Sequence, residues 1–216
     1  MDITWYGHSC FRLSERGVAT VVTDPYDYKH VGYNALKLKA DIVTVSLDDP
    51  GHNHLSAVKG DPFVIDSPGE YEIGGVFITG ISTNGNKRRN EDELHNKLYV
   101  IDYDGLTIAH LGELSRVPSQ TEIEGLGSVK IVLVPVGGAS NFNASKAAEV
   151  ISLLEPRIVI PMHYATTDTI INLDPLSKFL KEMGITEVET LPSLKISNLS
   201  SLPEETHVVV LDYQQP

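Results

Sequence analysis

Short clusters of β-branched and aromatic residues recur along the chain, each bounded by Gly, Pro, Asp or Asn. They are Ile3 to Tyr6, Cys10 to Leu13, Ala19 to Thr23, Asp41 to Ser46, Phe63 to Asp66 and Val76 to Ile81. Such runs predict strands, so the first half is strand-rich. Leu98 to Tyr103 and Leu106 to His110, joined by Asp104-Gly105, read as a β-hairpin, because Asp-Gly tolerates the positive φ values of a type I′ turn. The pattern then changes. Ile131 to Val134 and Ile158 to Ile160 are unbroken apolar runs, as expected of strands covered on both faces. Between them Ala144, Ala147, Ala148, Ile151 and Leu154 share one helical face, with Asn143 as N-cap and Pro156 as the stop. A second helix is expected from Asp174 as cap and Pro175 at the first position to Gly184 as the stop, with Leu176, Phe179, Leu180 and Met183 on one face. Three further short strands, Glu187 to Leu191, Leu194 to Ser197 and His207 to Leu211, close the chain. The combination predicts an α/β protein in which sheets pack together with helices outside.

The 216 residues suit a single domain spanning 1–216, with no Pro/Gly/Ser linker to divide it. A hydrophobic fraction of 41% with 21% charged residues is globular, and no run approaches the roughly 18 apolar residues of a membrane span. No membrane partner is expected. One cysteine, Cys10, excludes an internal disulfide framework and a Cys-rich zinc site, and with no secretory pattern at Met1 to Trp5 the expected location is cytoplasmic. Seventeen Lys and Arg against 29 Asp and Glu leave a formal charge of −12, a field that repels nucleic acid. A small-molecule ligand and a homo-oligomer remain open.

Three predicted strands end in clusters of polar residues. Asp41 to Ser46 runs into Leu47-Asp48-Asp49-Pro50-Gly51-His52-Asn53-His54, Leu106 to His110 into Leu111-Gly112-Glu113, and Arg157 to Ile160 into Pro161-Met162-His163-Tyr164. A rigid sheet aims the loops beyond its strand ends at one point, so convergence of the three is expected. Together they hold imidazoles and carboxylates, the ligand chemistry of zinc, manganese or iron. The charge-dense stretch Asn84 to Lys97 reads as a long loop.

These segments, with Trp5-Tyr6-Gly7-His8-Ser9-Cys10-Phe11, Thr23-Asp24-Pro25-Tyr26, Ser67-Pro68-Gly69-Glu70 and Val134-Pro135-Val136-Gly137-Gly138, occur in the order of the metallo-β-lactamase superfamily. The chain resembles its small bacterial Zn-dependent hydrolase branch, of the L-ascorbate-6-phosphate lactonase type. The resemblance implies a four-layer αββα sandwich with the site at one sheet edge. It also implies an H-x-H-x-D-H motif after Ser46, which falls here on Leu47, Asp48, Asp49, Pro50, Gly51 and His52, so that only the last His is kept. A later ligand His falls at Gly85, or at Asn84 if the loop shifts by one, and the bridging Asp is Glu113. By this alignment the first metal site loses its imidazoles at Leu47, Asp49 and Gly85, and the second loses its aspartate at Gly51. The second retains His52, Glu113 and His163. Asp24 matches the family's supporting Asp, and His8 a position near the site. Asp48 and Asp49 lie within reach of the cleft, His54 is expected at the surface, and His110 as a structural strand end.

Two readings follow. In one, the dinuclear centre has decayed and the chain is an impaired enzyme or a binding protein that takes no metal. In the other, one divalent ion, zinc or manganese, sits on His52, Glu113 and His163 and supports hydrolysis of a lactone, ester or phosphoester. A serine or cysteine nucleophile at Ser46 or Cys10 is disfavoured, since neither sits in a recognisable elbow or beside an identifiable base.

Overall fold

The structure is a computed structural model that describes residues 1–83, 96–138, 142–188 and 190–215. Two sheets face one another. The first is built of β1 (Asp2–Trp5), β2 (Phe11–Ser14), β3 (Val21–Thr23), β4 (Ile42–Thr44) and β5 (Phe63–Ile65) in that spatial order, with Leu194–Lys195 on the edge beside β1. The second runs from the edge strand β6 (Gly69–Ile73) through β7 (Val76–Ser82), β8 (Lys97–Tyr103), β9 (Leu106–His110), β10 (Ile131–Pro135) and β11 (Ile158–Met162) to His207–Val208. β3, β4 and β5 are parallel, as are β9, β10 and β11. Their carboxyl ends carry the polar loops anticipated from the sequence.

Alternation decides which way each strand faces. In β3 and β4, Val21 and Ile42 belong to the core between the sheets, while Val22 and Val43 join Cys10, Tyr26, Val31 and Tyr33 on the outer side of the first sheet. β10 and β11 are buried at every position, as their unbroken apolar runs require. Tyr99 and Tyr103 cross the inter-sheet space, and their hydroxyls meet the Val45 and Ile65 carbonyls and the Leu13 and Ala19 carbonyls of the first sheet. A buried phenol needs such a partner, and here the partner ties the two sheets together.

The outer layers are unequal. Among the described residues, the helices α2 (Gln120–Leu126), α3 (Ala144–Leu154) and α4 (Leu176–Glu182) lie over the second sheet, and over the first only the one-turn helix α1 (Tyr28–Val31), the turn Leu55–Ala57 and the paired Leu38–Lys39 and Val58–Lys59. The architecture is the expected α/β sandwich with a thin fourth layer. Among the described residues no helix is long and apolar enough to cross a membrane.

Local expectations mostly hold. Asp104 and Gly105 take φ values of 50° and 85° in the hairpin turn, and the Asn143 side chain accepts the Lys146 N–H at the start of α3. Asp174 is corrected: Pro175 is the N-cap of α4, and the Asp174 carboxylate accepts from Lys178 Nζ at 2.6 Å instead, because the proline ring already sets the helix entry. The strand expected over His207 to Leu211 breaks at Val209, so that Val210–Leu211 pairs with Thr190–Leu191. Strand β6 and helix α2 were not anticipated. Glu70-Tyr71-Glu72-Ile73 has a legible two-residue alternation, and Ser119 with Glu122 forms a capping box.

That box also anchors the chain just after Glu113. The Glu122 carboxylate accepts the Ser119 N–H at 2.6 Å and takes both Arg116 guanidinium nitrogens at 2.7 and 2.8 Å. Arg116 draws its pKa down to about 2, against a smaller opposing effect of burial and with help from Ser119. Glu122→Ala is expected to cost about 1–2 kcal/mol, or about 2–4 °C in Tm for each kcal/mol. Because the folded pKa lies below the unfolded carboxylate value of about 4.3, the contribution is complete above that pH and is lost as pH falls through about 2. Thermal melts at pH 7 and pH 2.5 should show the gap between parent and variant narrowing in acid; a constant gap would refute the ion-pair account.

Candidate functional site

The carboxyl ends of β1, β3, β4, β9 and β11 deliver His8, Asp24, Ser46, Glu113 and His163 to one end of the sandwich. His8, His52 and His163 are only 1–2% exposed, and Asp24 is fully buried. Three of these residues hold left-handed backbone: His8 at φ 51°, Asp24 at 40° and His163 at 52°. Non-glycine residues pay for that conformation and keep it only where the surroundings fix it. For His8 and His163 the fixing contact is shared, since the His8 carbonyl accepts the His163 N–H at 3.0 Å and the Trp5 indole N–H at 3.1 Å.

Asp24 sets the start of the motif loop. Its two oxygens accept the Ser46 N–H at 2.7 Å and the Ser46 hydroxyl at 2.5 Å. His110 ends β9 beneath them, donating to the Ser9 carbonyl at 2.9 Å and standing 3.8 Å from Asp24 Oδ2, with burial lowering its pKa. Ser46 thus serves as a hydrogen-bond donor to Asp24. Beyond it Leu47 is buried and Asp48 is turned to the surface, accepting Asn53 Nδ2 at 2.7 Å. His54 bonds Ser56 Oγ at 3.1 Å.

Asp49 belongs to the site in another way than its motif register implied. One oxygen, Oδ1, accepts the Gly51 N–H at 2.7 Å and His52 Nδ1 at 2.8 Å. The opposite ring nitrogen, His52 Nε2, is buried without a hydrogen-bond partner among the described residues and lies 3.7 Å from Glu113 Oε2. Burial opposes charge on His52, but the Asp49 hydrogen bond and the fields of Asp24, Asp49 and Glu113 outweigh it and push the pKa up to about 9. His163 goes the other way, down to about 3, through burial and then the nearby His52. Burial likewise holds His8 well below the ordinary imidazole value.

Glu113 is placed by residues the sequence did not single out. Its N–H donates to Asn96 Oδ1 at 2.9 Å, while Asn96 Nδ2 donates to the Leu111 carbonyl at 3.0 Å. Gly112, at φ 57°, makes the approach possible, for a Cβ there would run into Asn96 Oδ1 and lie 2.7 Å from Ser46 Oγ. Nothing in the sequence marks Asn96. His30, on α1, lines the cleft as well, with Val31, Ile171, Asn172 and Leu173 on the same rim. The cleft measures about 250 Å³. Gly85 and its fallback Asn84 lie outside the described residues.

Asp49, His52 and Glu113 offer ligand atoms all within 4.8 Å of one another, and His8 and His163 stand beside this group. Two ligands of one tetrahedral zinc, each about 2.0–2.2 Å from it, lie about 3.3–3.5 Å apart. The 3.7 Å between His52 Nε2 and Glu113 Oε2 fits that spacing. Asp49 on Nδ1 has the role of the carboxylate that orients a metal-bound imidazole and raises its basicity. The donors present therefore fit one ion. A second ion finds no comparable set among the described residues, where Leu47 supplies no donor and Asp49 is engaged by His52.

Comparison with known proteins places this geometry in a family. Residues 2–163 match the family model described as the beta-lactamase superfamily domain. A UPF0173 protein of Pyrococcus furiosus is 30% identical over 208 residues, covering 85% of this chain and 90% of that one. A UPF0173 metal-dependent hydrolase of Thermoplasma volcanium is 28% identical over 204 residues, covering 82% and 88%. Among solved structures, a Thermotoga maritima protein assigned as a Zn-dependent hydrolase of the metallo-β-lactamase superfamily superposes with a TM-score of 0.79 at 37% identity, covering 97% of each chain. With the fold, the strand-end site and these relatives in agreement, the chain belongs to the UPF0173 metal-dependent hydrolase family of the metallo-β-lactamase superfamily.

Proposed function

We propose that this chain is a single-ion member of a family built on dinuclear hydrolytic centres. It binds one divalent cation and a small ligand in the cleft, and turns substrates over poorly. The observation that carries this reading is His52: buried, braced by Asp49 at Nδ1, and presenting an unpartnered Nε2 at 3.7 Å from Glu113. The residues that would hold the ion are His52 and Glu113, with an imidazole of the His8 and His163 pair. A bound divalent ion would supply polarisation of a carbonyl or phosphoryl oxygen and a water of lowered pKa.

The chain's own residues explain why turnover is poor. Glu113 is one methylene longer than the family's bridging Asp, and reacting geometry loses about 10²-fold for a misplacement of about 1 Å. Buried Leu47 supplies no donor where the motif has one. Substrates of the right chemistry are lactones, esters and phosphoesters, with Asn172 and His30 as polar rim contacts and Val31, Ile171 and Leu173 as the apolar wall.

A metal-free reading has its own support, because an imidazolium at His52 sits between the Asp49 and Glu113 carboxylates where a cation would. Zinc titration separates the two. Elemental analysis after zinc loading and desalting should give about one equivalent per chain, and anomalous scattering a single peak rather than a pair about 3.5–4 Å apart. Two equivalents would sink the single-ion reading, and zero would leave the imidazolium one.

The fold should not need the ion, since a core of this size forms without a metal staple. Melts of chelator-treated and zinc-loaded protein should agree within about 10 °C, a few kcal/mol at this chain length. A larger drop on chelation would show a structural ion.

A further inference from the structure

Gly51 occupies the register position of the motif aspartate, yet its backbone does not demand glycine, for its φ lies outside the left-handed region. The space beside it is taken instead. A Cβ on Gly51 would lie 3.0 Å from His8 Nε2 and 3.2 Å from Asp49 Oδ1. Across the open side of a deleted side chain, His8 therefore presents a ring nitrogen toward the Asp49 and His52 turn. Its other nitrogen, Nδ1, is buried with no hydrogen-bond partner among the described residues.

The ring separations select among the three imidazoles. Two imidazoles on one tetrahedral zinc, with Zn–N bonds of about 2.0–2.1 Å, place their ring centroids about 5.2 Å apart. His8 and His52 are 4.9 Å apart, whereas His52 and His163 are 6.1 Å apart. His163 lies edge-on against His8 at 4.3 Å, as a support for that ring. The His8 backbone is pinned by Trp5 and His163, which aims the side chain without depending on an ion.

We propose that His8 takes the place vacated by the motif aspartate and completes, with His52 and Glu113, a donor set of two imidazoles and one carboxylate. The proposal rests on the single-ion reading and goes beyond it by naming the third donor. His8 is outside the group whose ligand atoms all fall within 4.8 Å of one another, so completing the set requires a turn of its ring toward His52 and Glu113. Exchanging an anionic carboxylate for a neutral imidazole shifts the preference of the site from manganese toward zinc.

The test uses the full chain, with zinc and cobalt(II) as probes. Zinc affinity, measured by competition with a chromophoric chelator, should fall at least about tenfold in His8→Ala and in Gly51→Ala, whose Cβ crowds His8 Nε2 at 3.0 Å and, less closely, Asp49 Oδ1 at 3.2 Å. The double variant His8→Ala with Gly51→Asp returns a carboxylate to the motif position and should recover affinity. In the cobalt(II)-loaded parent, two paramagnetically shifted imidazole N–H resonances are expected, from His8 and His52, and one in His8→Ala. This count does not depend on comparing stabilities, and Gly51→Ala covers the case in which His8→Ala fails to fold. Unchanged zinc affinity in both single variants, with loss in His163→Ala, would overturn the proposal and leave the single-ion reading standing. A parent that takes up no zinc would overturn both.

Discussion

The carboxylate of Asp24 accepts both the backbone N–H and the hydroxyl of Ser46, and the polar end of the molecule is arranged around that pair. It locks the end of β3 to the end of β4 in a fully buried place, where a hydrogen bond to a charged group is worth about 1.5–3 kcal/mol and an unpaired charge costs more. From Ser46 the chain turns into the motif loop. The Ser46 carbonyl meanwhile accepts the Lys97 N–H at the start of β8, so the loops of both sheets share one anchor. Gly112 packs against the Ser46 side chain from the other side, which brings Glu113 over His52.

This arrangement separates the scaffold from the metal chemistry. Asp24, Ser46, Asn96, Gly112 and the pinned His8 carbonyl hold the loops by hydrogen bonds and close packing, without a cation. Ligand positions in the motif can then change while the loops stay in place, and the chain shows that outcome. Leu47 and Gly51 occupy ligand positions without supplying a donor, yet His52 and Glu113 face one another across the same cleft. The Asp49 carboxylate, standing where the motif has an imidazole, has become the partner that orients His52.

The electrostatics show the same economy. The cleft brings Asp49 and Glu113 to one buried imidazole, whose pKa they raise against the effect of burial, while burial lowers the pKa of His8 and of His163. The neighbouring rings thus shift in opposite directions, because among the described residues only His52 has a carboxylate at hydrogen-bond distance. A cation entering this cleft competes with a proton for His52 more than for the other two imidazoles, whose pKa values burial lowers.

Much of the fold was legible in residue order. Period-two clusters marked the strands, Asp104-Gly105 the hairpin, Asn143 and Gly184 the helix ends, and the unbroken runs at Ile131 and Ile158 the strands buried on both faces, because each is a local consequence of side-chain alternation or backbone freedom. That the loops carrying His52, Glu113 and His163 open onto one cleft was legible too, since parallel strands in a two-sheet sandwich send their carboxyl ends to one side. Direction was not. That Asp48 faces the surface while Asp49 braces His52, that Asn96 carries Glu113, and that His8 fills the room left at Gly51 depend on contacts between residues far apart in sequence. Spacing along a chain says where a loop begins, but the orientation of its side chains is set by the loops packed against it, and only the tertiary structure brings those together.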